Sequence, residues 1–529
     1  MTGGPAALIE RFGGPDACAA RLLCDDHAPG DVAFTVVEPD LTARDLTYGE
    51  LRRESGRFAA GLADLGIGAG DRVGVLMGRS VELIVVLVGL WRRGAVLVPL
   101  STALGRPGVG LRLRVARVRL VVVDADRRSR LAAGEGVPAD PPWRVMVVRG
   151  EPGRGELSFE AMMALYLDGA GPEPVAVGGD GALVQTHTAG TTGPPRPVPV
   201  PVRALAAFAA ARRVDADGPG DRHWDTADPG WATGLYSAVL GPLAAGRPGL
   251  LARGAVTPVP GWGLLDRYRV THLHANPAHL RALAAAGAPP AGLALRQVTS
   301  TGEPLPPDLR VWARETLGAA LHDRYAQAEL GTVLVDDGTC PPGSLGRPVP
   351  GWRLAVLRDD RDEPAPPGAV GRLAVDRPAS PLMWFTGHGD GAPPVSTSLA
   401  GRWYATGDTA ARDAAGCHRF SARAGDVIVG AGHRVAPFEV ETVLMRHRDV
   451  VDAAVVGMPA RGGAVPEAFV VLRAGARPGF GRGEELKRRV RAALPAHAVP
   501  RAVHVVEALP RTPTGAVRRA ALRERRADR

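Results

Sequence analysis

Lysine is almost absent from this chain of 529 residues. Lys487 is the only lysine, so arginine makes up nearly all of the 64 basic residues behind the formal net charge of +9. Aromatic residues amount to 5% and do not alternate with the arginines, as they do on surfaces that bind single-stranded nucleic acid. The densest basic cluster lies at residues 518–529, where a solvated helix end is the simpler interpretation. We therefore expect no nucleic-acid partner.

Cysteine is also scarce, and long apolar runs are missing. The four cysteines are Cys18, Cys24, Cys340 and Cys417. Their spacing matches neither a metal site nor a disulfide framework, which favours reduced thiols and a cytoplasmic location. Residues 1–30 lack the apolar core of a signal peptide, and the apolar run 83–91 stops at Arg92, too short to cross a bilayer. We expect a cytoplasmic protein without a membrane span.

What the sequence does contain is an alternation of strand and helix patterns. Its length exceeds one hydrophobic core and predicts two or three domains. Thr47 and Glu50 form a capping-box pattern before a helix that runs to Leu65. Strands are predicted at 71–77, 95–100, 119–123, 272–275 and 297–300, and helices at 80–93, 205–213 and 279–286. This order is typical of an α/β fold with a parallel, helix-covered sheet.

The remaining patterns predict loops and a distinct C-terminal unit. Residues 132–156 and 386–397 are rich in glycine, proline and polar residues, which indicates surface loops. Toward the C-terminus, the patterns predict helices at 437–447 and 484–494 and strands at 450–456 and 468–472. Together these elements indicate a small α+β unit.

The most informative segment is residues 188–197, which read TAGTTGPPRP and follow an apolar strand pattern at 182–184. Its candidate phosphate ligands are two glycines, three hydroxyls and one cation: Gly190, Gly193, Thr188, Thr191, Thr192 and Arg196. Glycine lets the backbone approach an anion closely and point its N–H groups inward. The segment therefore predicts a phosphate-binding loop, although it lacks the Gly-Lys-Ser/Thr spacing of a P-loop. The alternative is an ordinary Gly/Pro surface loop.

This loop resembles the phosphate loop of the adenylate-forming superfamily, which includes acyl-CoA synthetases, peptide-synthetase adenylation domains and luciferases. Further segments resemble that family in order and spacing: 228–234, 301–305, 325–329, 403–408, 432–441 and 509–516. The resemblance covers residues 46–522 and is closest to the medium-chain acyl-CoA synthetase branch. It implies an α/β fold with a large N-terminal domain of helix-covered sheets and a small mobile α+β C-terminal domain.

The resemblance also implies roles around ATP. Forming an acyl adenylate brings two anions together, so cations and donors must stabilise the transition state. Arg196 and Glu329 would be catalytic, with Glu329 also helping to hold Mg²⁺. The implied ATP- or AMP-binding residues are Thr188, Gly190, Thr191, Thr192, Gly193, Gly302, Glu303, Pro304, Tyr325, Gln327, Asp408 and Arg423. The implied acyl-pocket residues are Trp231 and Gly234.

By the same resemblance, the C-terminal domain serves the transfer to CoA. It would rotate about Gly425 after adenylation, so the expected domains are residues 1–424 and 425–529. Gly432, His433 and Arg434 would then place CoA.

Four positions depart from the family pattern. Arg196 replaces a lysine, Ala328 lacks a threonine hydroxyl, and Gly425 stands where the hinge usually has Asp or Lys. Ala516 occupies the position of the lysine that contacts the acyl carboxylate and the α-phosphate. Losing such a contact commonly costs about 10²–10³ in rate, or about 3–4 kcal/mol.

Together these features predict an ATP-dependent acid–CoA ligase whose substrates are a small-molecule carboxylic acid, ATP and CoA, with Mg²⁺ as the metal. Two alternatives stay open. One is a nucleotide-binding protein with impaired adenylation, and the other is an adenylating enzyme that loads a carrier protein. An amino-acid substrate is disfavoured, because residues 228–231 lack the Phe-Asp pair with which peptide-synthetase domains bind an α-amine.

Overall fold

The computed structural model describes residues 4–167, 171–188, 195–215, 218, 220–254, 258–389, 401–430, 433–460, 463–476, 481–512 and 516–527. In chain order, the α-helices are α1 Pro5–Gly13, α2 Tyr48–Asp64, α3 Val81–Arg92, α4 Arg106–Ala116, α5 Phe159–Leu165, α6 Leu205–Arg213, α7 Ala232–Gly234, α8 Gly241–Ala245, α9 Pro258–Arg267, α10 Pro277–Ala285, α11 Pro307–Trp312, α12 Pro437–Met445, α13 Arg482–Ala493 and α14 Arg519–Ala527. Short π or 3-10 segments are Arg21–Asp25, Ala125–Leu131, Val202–Ala204, Leu235–Leu240, Ala313–Leu317, Ala424–Asp426 and Ala496–Ala498.

The strands, again in chain order, are β1 Val32–Val37, β2 Ala43–Thr47, β3 Arg72–Leu76, β4 Val96–Pro99, β5 Leu120–Asp124, β6 Arg144–Val148, β7 Leu157–Ser158, β8 Ala182–His187, β9 Pro197–Pro201, β10 His223–Asp225, β11 Gly249–Ala252, β12 His272–His274, β13 Gln297–Ser300, β14 Ala320–Gln327, β15 Gly331–Val335, β16 Arg347–Pro348, β17 Leu354–Leu357, β18 Val370–Asp376, β19 Trp403–Arg412, β20 His418–Arg423, β21 Ile428–Gly430, β22 His433–Val435, β23 Val450–Ala460, β24 Gly463–Leu472 and β25 Val503–Val505.

Two large sheets form the N-terminal part of the molecule. The first has the order β7-β6-β5-β3-β4-β8-β9, and only the β8/β9 pair in it is antiparallel. Strands β4 and β5 are buried along their whole length, as expected of a parallel sheet covered on both faces. The second sheet has the order β16-β15-β14-β13-β12-β10-β11-β1-β2, with parallel strands at its centre.

Two smaller antiparallel units follow. Strands β17-β18-β19-β20 form one sheet, which ends at Arg423. The next sheet begins with β21 at Ile428 and has the order β22-β21-β24-β23, with β25 parallel to β24. Helices α12 and α13 pack on this last sheet through an apolar cluster that includes Val440, Leu444 and Leu486. The change of sheet therefore falls between Arg423 and Ile428.

The predicted α/β fold with a small C-terminal α+β unit is confirmed. Strand β13 and helix α6 have the predicted bounds, and the Thr47 side chain accepts from the Glu50 backbone N–H at 3.2 Å. The predicted loop at 132–156 is partly wrong, because it contains β6, which pairs in parallel with β5. The predicted loop at 386–397 lies outside the described residues from 390 onward.

The prediction that the thiols are all reduced is wrong. Cys340 and Cys417 form a disulfide between the loop after β15 and the turn before β20, whereas Cys18 and Cys24 are free and buried. The sequence concealed this pair because the two cysteines lie 77 residues apart and meet only in the fold. The cytoplasmic location that rested on reduced thiols stays a prediction. Among the described helices, none is both long and apolar enough to cross a membrane.

Candidate active site

The predicted phosphate loop joins β8 to β9. At its base the Thr188 N–H donates to the Arg196 carbonyl at 2.9 Å, and the Arg196 N–H donates to Thr188 Oγ1 at 2.9 Å. These two bonds close the loop like a hairpin, so the ends of the segment are held together. The predicted ligands Gly190, Thr191, Thr192 and Gly193 lie outside the described residues.

The proline-rich stretch after this loop fits its position in the sheet. Pro197, Pro199 and Pro201 alternate along β9, which is the edge strand of the first sheet. An edge strand can lose N–H donors that would otherwise point to solvent, so proline is tolerated there. The prolines therefore end the sheet without breaking the loop base.

The predicted adenine and ribose residues meet in one buried hydrogen-bonded group. Tyr325 Oη donates to Asp408 Oδ2 at 2.5 Å, and Gln327 Nε2 donates to the same oxygen at 3.1 Å. Arg423 Nε lies 3.4 Å from Asp408 Oδ1, because β19 and β20 pair these two residues directly. Gln327 Nε2 also donates to the Thr406 carbonyl at 2.8 Å. The two segments that resembled nucleotide-binding motifs thus fold against each other.

Burial sets the electrostatics of this group. Desolvation raises the pKa of Asp408, although Arg423 and the donors Tyr325 and Gln327 favour its ionised form. Desolvation and the nearby Asp408 carboxylate also raise the pKa of Tyr325 well above its usual value. Tyr325 therefore remains a hydrogen-bond donor, and Asp408 is a buried carboxylate that can still accept bonds from a vicinal diol.

The loop predicted to border adenine makes a contact with the C-terminal unit. Gly302 has a φ of +100°, a conformation that side-chain-bearing residues rarely adopt. Next to it, Glu303 Oε2 accepts from Arg511 Nη1 at 3.0 Å, and Glu303 Oε1 lies 3.5 Å from Arg281 Nη1. Pro304 follows directly in this loop.

Arg511 belongs to a hairpin-like turn that also contains Ala516. The Thr512 N–H donates to the Ala516 carbonyl at 2.7 Å, and the Arg518 N–H donates to the Pro510 carbonyl at 2.7 Å. Arg511 Nη2 also donates to Asp452 Oδ2 at 2.7 Å. Burial opposes the charge of Arg511, but Glu303 and Asp452 hold its pKa above the usual value. One guanidinium therefore ties the turn to the adenine-bordering loop.

The predicted Mg²⁺ residue, Glu329, has a neighbour that the sequence did not reveal. His388 Nε2 lies 3.3 Å from Glu329 Oε1, and both side chains are largely buried. His388 falls in the segment 386–397, whose polar composition predicted a surface loop, so nothing in the sequence indicated that this side chain is buried. Next to Glu329, the Ala328 carbonyl accepts from Tyr236 Oη at 2.9 Å, which connects the motif to the helical run after α7.

A cavity of about 70 Å³ opens beside the hydrogen-bonded group of Tyr325, Gln327 and Asp408. It lies between α6, the helical segment after α7 and the second sheet, and Gln327 lines it. Neither predicted acyl-pocket residue is among those that line the cavity. Trp231 contacts Arg112, and a Cβ at Gly234 would come within 2.2 Å of the Asp228 carbonyl. Their neighbours Thr233 and Tyr236 line the cavity.

The predicted hinge and CoA residues lie at the start of the C-terminal unit. Gly425 lies in the short turn between β20 and β21, and, its chain neighbours apart, no atom of the described residues lies within 4 Å of where its Cβ would be. His433 begins β22 and stacks on His497 with ring centroids 4.2 Å apart. Arg434 pairs with Val429 through the backbone, and Gly432 lies outside the described residues.

Comparison with known proteins agrees with this architecture. The family model described as AMP-binding enzyme matches residues 25–383, and the AMP-binding enzyme C-terminal domain matches residues 439–516. The acetyl-coenzyme A synthetase of Bacillus subtilis (strain 168) is 31% identical over 495 residues, covering 90% of this chain and 84% of that protein. The 3-hydroxybenzoate–CoA ligase of Aromatoleum sp. (strain CIB) is 30% identical over 493 residues, covering 91% and 92%.

Solved structures give the same picture over nearly the whole chain. An acyl-CoA synthetase of Brucella canis has a TM-score of 0.75 at 38% identity, covering 99% of this chain and 97% of that one. A benzoate CoA ligase from Burkholderia xenovorans has a TM-score of 0.81 at 26% identity, covering 96% and 99%. The large sheet-based domain and the smaller C-terminal unit are thus shared with solved structures.

Proposed function

This chain belongs to the AMP-binding enzyme family, and from that membership we propose that it is an ATP-dependent acid–CoA ligase. It activates a small carboxylic acid as an acyl adenylate and then transfers the acyl group to CoA. The observation that carries the proposal is the position of Gln327. This side chain lines the cavity and donates to Asp408, so an acid in the cavity and a nucleotide at Asp408 would be neighbours.

The chemistry has two steps. In the first, a carboxylate oxygen of the acid attacks the α-phosphorus of ATP, and the bond from that phosphorus to the bridging oxygen breaks, releasing pyrophosphate. Asp408 and Arg423 hold the ribose, while Thr188 and Arg196 support the phosphate loop. In the second step the CoA sulfur attacks the acyl carbon, the bond to AMP breaks, and the thiol proton passes to solvent.

The proposal includes Mg²⁺, with Glu329 as the residue that would help to hold it. Among the described residues, no group of three or more His, Cys, Asp or Glu side chains could hold a metal by itself. A nucleotide-bound Mg²⁺ needs only one or two protein carboxylates, because phosphates and water supply its other oxygens. Glu329 fits that requirement, and the ion when bound would neutralise charge at the α-phosphate.

The chain would divide into two domains, residues 1–424 and 425–529, and the second domain would change its orientation between the two steps. The change of sheet between Arg423 and Ile428 and the open space around Gly425 support a hinge there. Gly432, His433 and Arg434 are the residues proposed to place CoA. Replacing Gly425 by proline would fix its φ and should slow thioester formation more than adenylate formation.

The test measures AMP binding and pyrophosphate release after an isosteric change of Asp408, the carboxylate proposed to bind the ribose. Asp408→Asn should weaken AMP binding in calorimetry and slow pyrophosphate release with a panel of short acids. Asp376→Asn is the matched control, because Asp376 is a buried carboxylate on the neighbouring strand whose partner is Arg402. Equal AMP affinity in wild type and Asp408→Asn would refute the assignment.

Ala516 favours a second candidate, a nucleotide-binding protein with little adenylation of its own. A methyl group replaces the cation that the family uses at this position, so only the first step should suffer. Synthetic acyl adenylate with CoA should then give thioester much faster than ATP with free acid does. Repeating the second step with a carrier-protein thiol in place of CoA tests the carrier-loading alternative.

A further inference from the structure

The cavity has an unusually polar wall. Central strands of a sheet that is covered on both faces are normally apolar on both faces. Here the register aligns His223 with His272 and Gln297, and Asp225 with His274 and Thr299, so these side chains share one face. All six line the cavity. The residues between them, Trp224, Leu273 and Val298, pack into an apolar core on the other face.

Two arginines that line this wall, Arg324 and Arg212, already face a carboxylate. Arg324 forms a buried ion pair with Asp215, and Arg212 Nη1 lies 3.5 Å from the other oxygen of that carboxylate. Burial disfavours ionised Asp215, but Arg324 and Arg212 more than offset this and lower its pKa. The second carboxylate of a diacid substrate would therefore meet arginines that already interact with Asp215.

Hydrogen-bonding capacity remains at the same wall. His274 Nδ1 bonds to Thr299 Oγ1 at 2.8 Å, and within the described part of the chain nothing bonds to His274 Nε2. Arg324 Nε is also buried without a partner among the described residues. Burial lowers the pKa of His274, so its ring is neutral and can donate or accept through Nε2. A purely alkyl chain in the cavity would cover His274 Nε2 without bonding to it, which is costly.

We propose that this cavity selects a short acid that carries a hydroxyl group, bonded by His274 Nε2. The inference rests on the proposed function and names the substrate class of the same site. A hydroxyl suits the wall because it both donates and accepts and brings no charge. The cavity of about 70 Å³ is about half the size of a cavity of about 150 Å³ that holds benzene, which favours a short acid.

The test measures binding of non-reacting adenylate mimics by calorimetry, so it does not depend on turnover. The probes are sulfamoyl adenosine without an acyl group and its butanoyl, succinyl and hydroxybutanoyl derivatives, with the hydroxyl on the third or the fourth carbon. One hydroxybutanoyl probe should bind about 10- to 100-fold tighter than the butanoyl probe. Equal or tighter binding of the butanoyl or succinyl probe would overturn the inference. Failure of the probe without an acyl group to bind would overturn the proposed function, and this inference with it.

Two variants of His274 separate its role from general packing. In His274→Asn the amide can replace the bond to Thr299 but is too short to reach the position of Nε2. In His274→Gln the longer amide reaches that position. The preference for the hydroxybutanoyl probe should fall to about one in the Asn variant and survive in part in the Gln variant. An unchanged preference in His274→Asn would show that Nε2 does not bind the hydroxyl.

Discussion

Replacing Arg511 by methionine should loosen the contact between the C-terminal unit and the adenine-bordering loop. Methionine keeps most of the length of the side chain but removes the guanidinium that joins Glu303 to Asp452. Of these two contacts only the one to Glu303 crosses between the units. Arg511 and Glu303 are 22% and 17% exposed, so the pair lies between a surface and a buried ion pair. A charged hydrogen bond of this kind is worth about 1.5–3 kcal/mol, so losing it should weaken the contact about 10- to 100-fold.

The assay compares the two steps in the same protein. Single-turnover release of pyrophosphate from ATP and acid measures the first step, and thioester formation from synthetic acyl adenylate and CoA measures the second. If the Arg511 contact holds the turn in place for adenylation, Arg511→Met slows the first step by up to about 10- to 100-fold. The second step should change little, because it needs the small domain in another orientation. Glu303→Gln should act in the same direction.

The matched control is Arg518→Met. Arg518 lies in the same turn, and it joins the turn through its backbone N–H. This variant loses an arginine without touching the contact to Glu303, so both steps should stay near wild type. The reasoning fails if Arg511→Met leaves adenylation unchanged or slows both steps equally.

Three other perturbations test separate parts of the molecule. Ala516→Lys should speed adenylation about ten-fold, a gain of about 1.4 kcal/mol, and an unchanged rate of pyrophosphate release would contradict the role given to that position. Reducing the disulfide between Cys340 and Cys417 opens a loop of 77 residues and should cost about 4.5 kcal/mol in the chain-entropy view. Thiol reductant should therefore lower the Tm of the wild type and leave the Tm of Cys417→Ser, which lacks the disulfide, unchanged; an unchanged wild-type Tm would contradict this prediction. Burial lowers the pKa of His187 from 6.5 to about 3, so the folded state holds this ring neutral. The stability that this histidine contributes above pH 6.5 is therefore lost as the pH falls toward 3. Urea titrations should show about 2–3 kcal/mol of this loss by about pH 4.5 and less of it in His187→Gln; identical pH profiles would rule out this histidine as the cause.

Local patterns predicted most of the backbone because their signals are short-range. The capping box at Thr47 and Glu50 formed as expected, and helix α6 has the predicted bounds. The strand β6 escaped prediction because its stability comes from pairing with β5, and its flanking glycines and prolines indicated a loop. The disulfide escaped for a related reason, since cysteine spacing does not specify which sulfurs meet.

The site shows the same division between motif and geometry. The sequence motifs identified Tyr325, Gln327 and Asp408 as candidate site residues. The fold joins them by hydrogen bonds that no motif specifies. His274 was missed because it lies in a strand whose pattern is that of an ordinary buried element. Only the register with the neighbouring strands shows that its side chain faces the cavity.

Combining the changes at positions 511 and 516 tests whether the turn acts as one device or two. If adenylation needs the turn held in place by Arg511 whichever residue stands at position 516, the two effects are independent and their free energies add. Ala516→Lys should then give the same gain of about ten-fold with arginine or methionine at position 511, within about 0.5 kcal/mol. The opposite result is equally specific: Arg511→Met would have no effect beside Ala516 and a large one beside lysine. That outcome would mean that placing a cation is all the turn contributes to adenylation, and that this chain, with alanine there, adenylates without it.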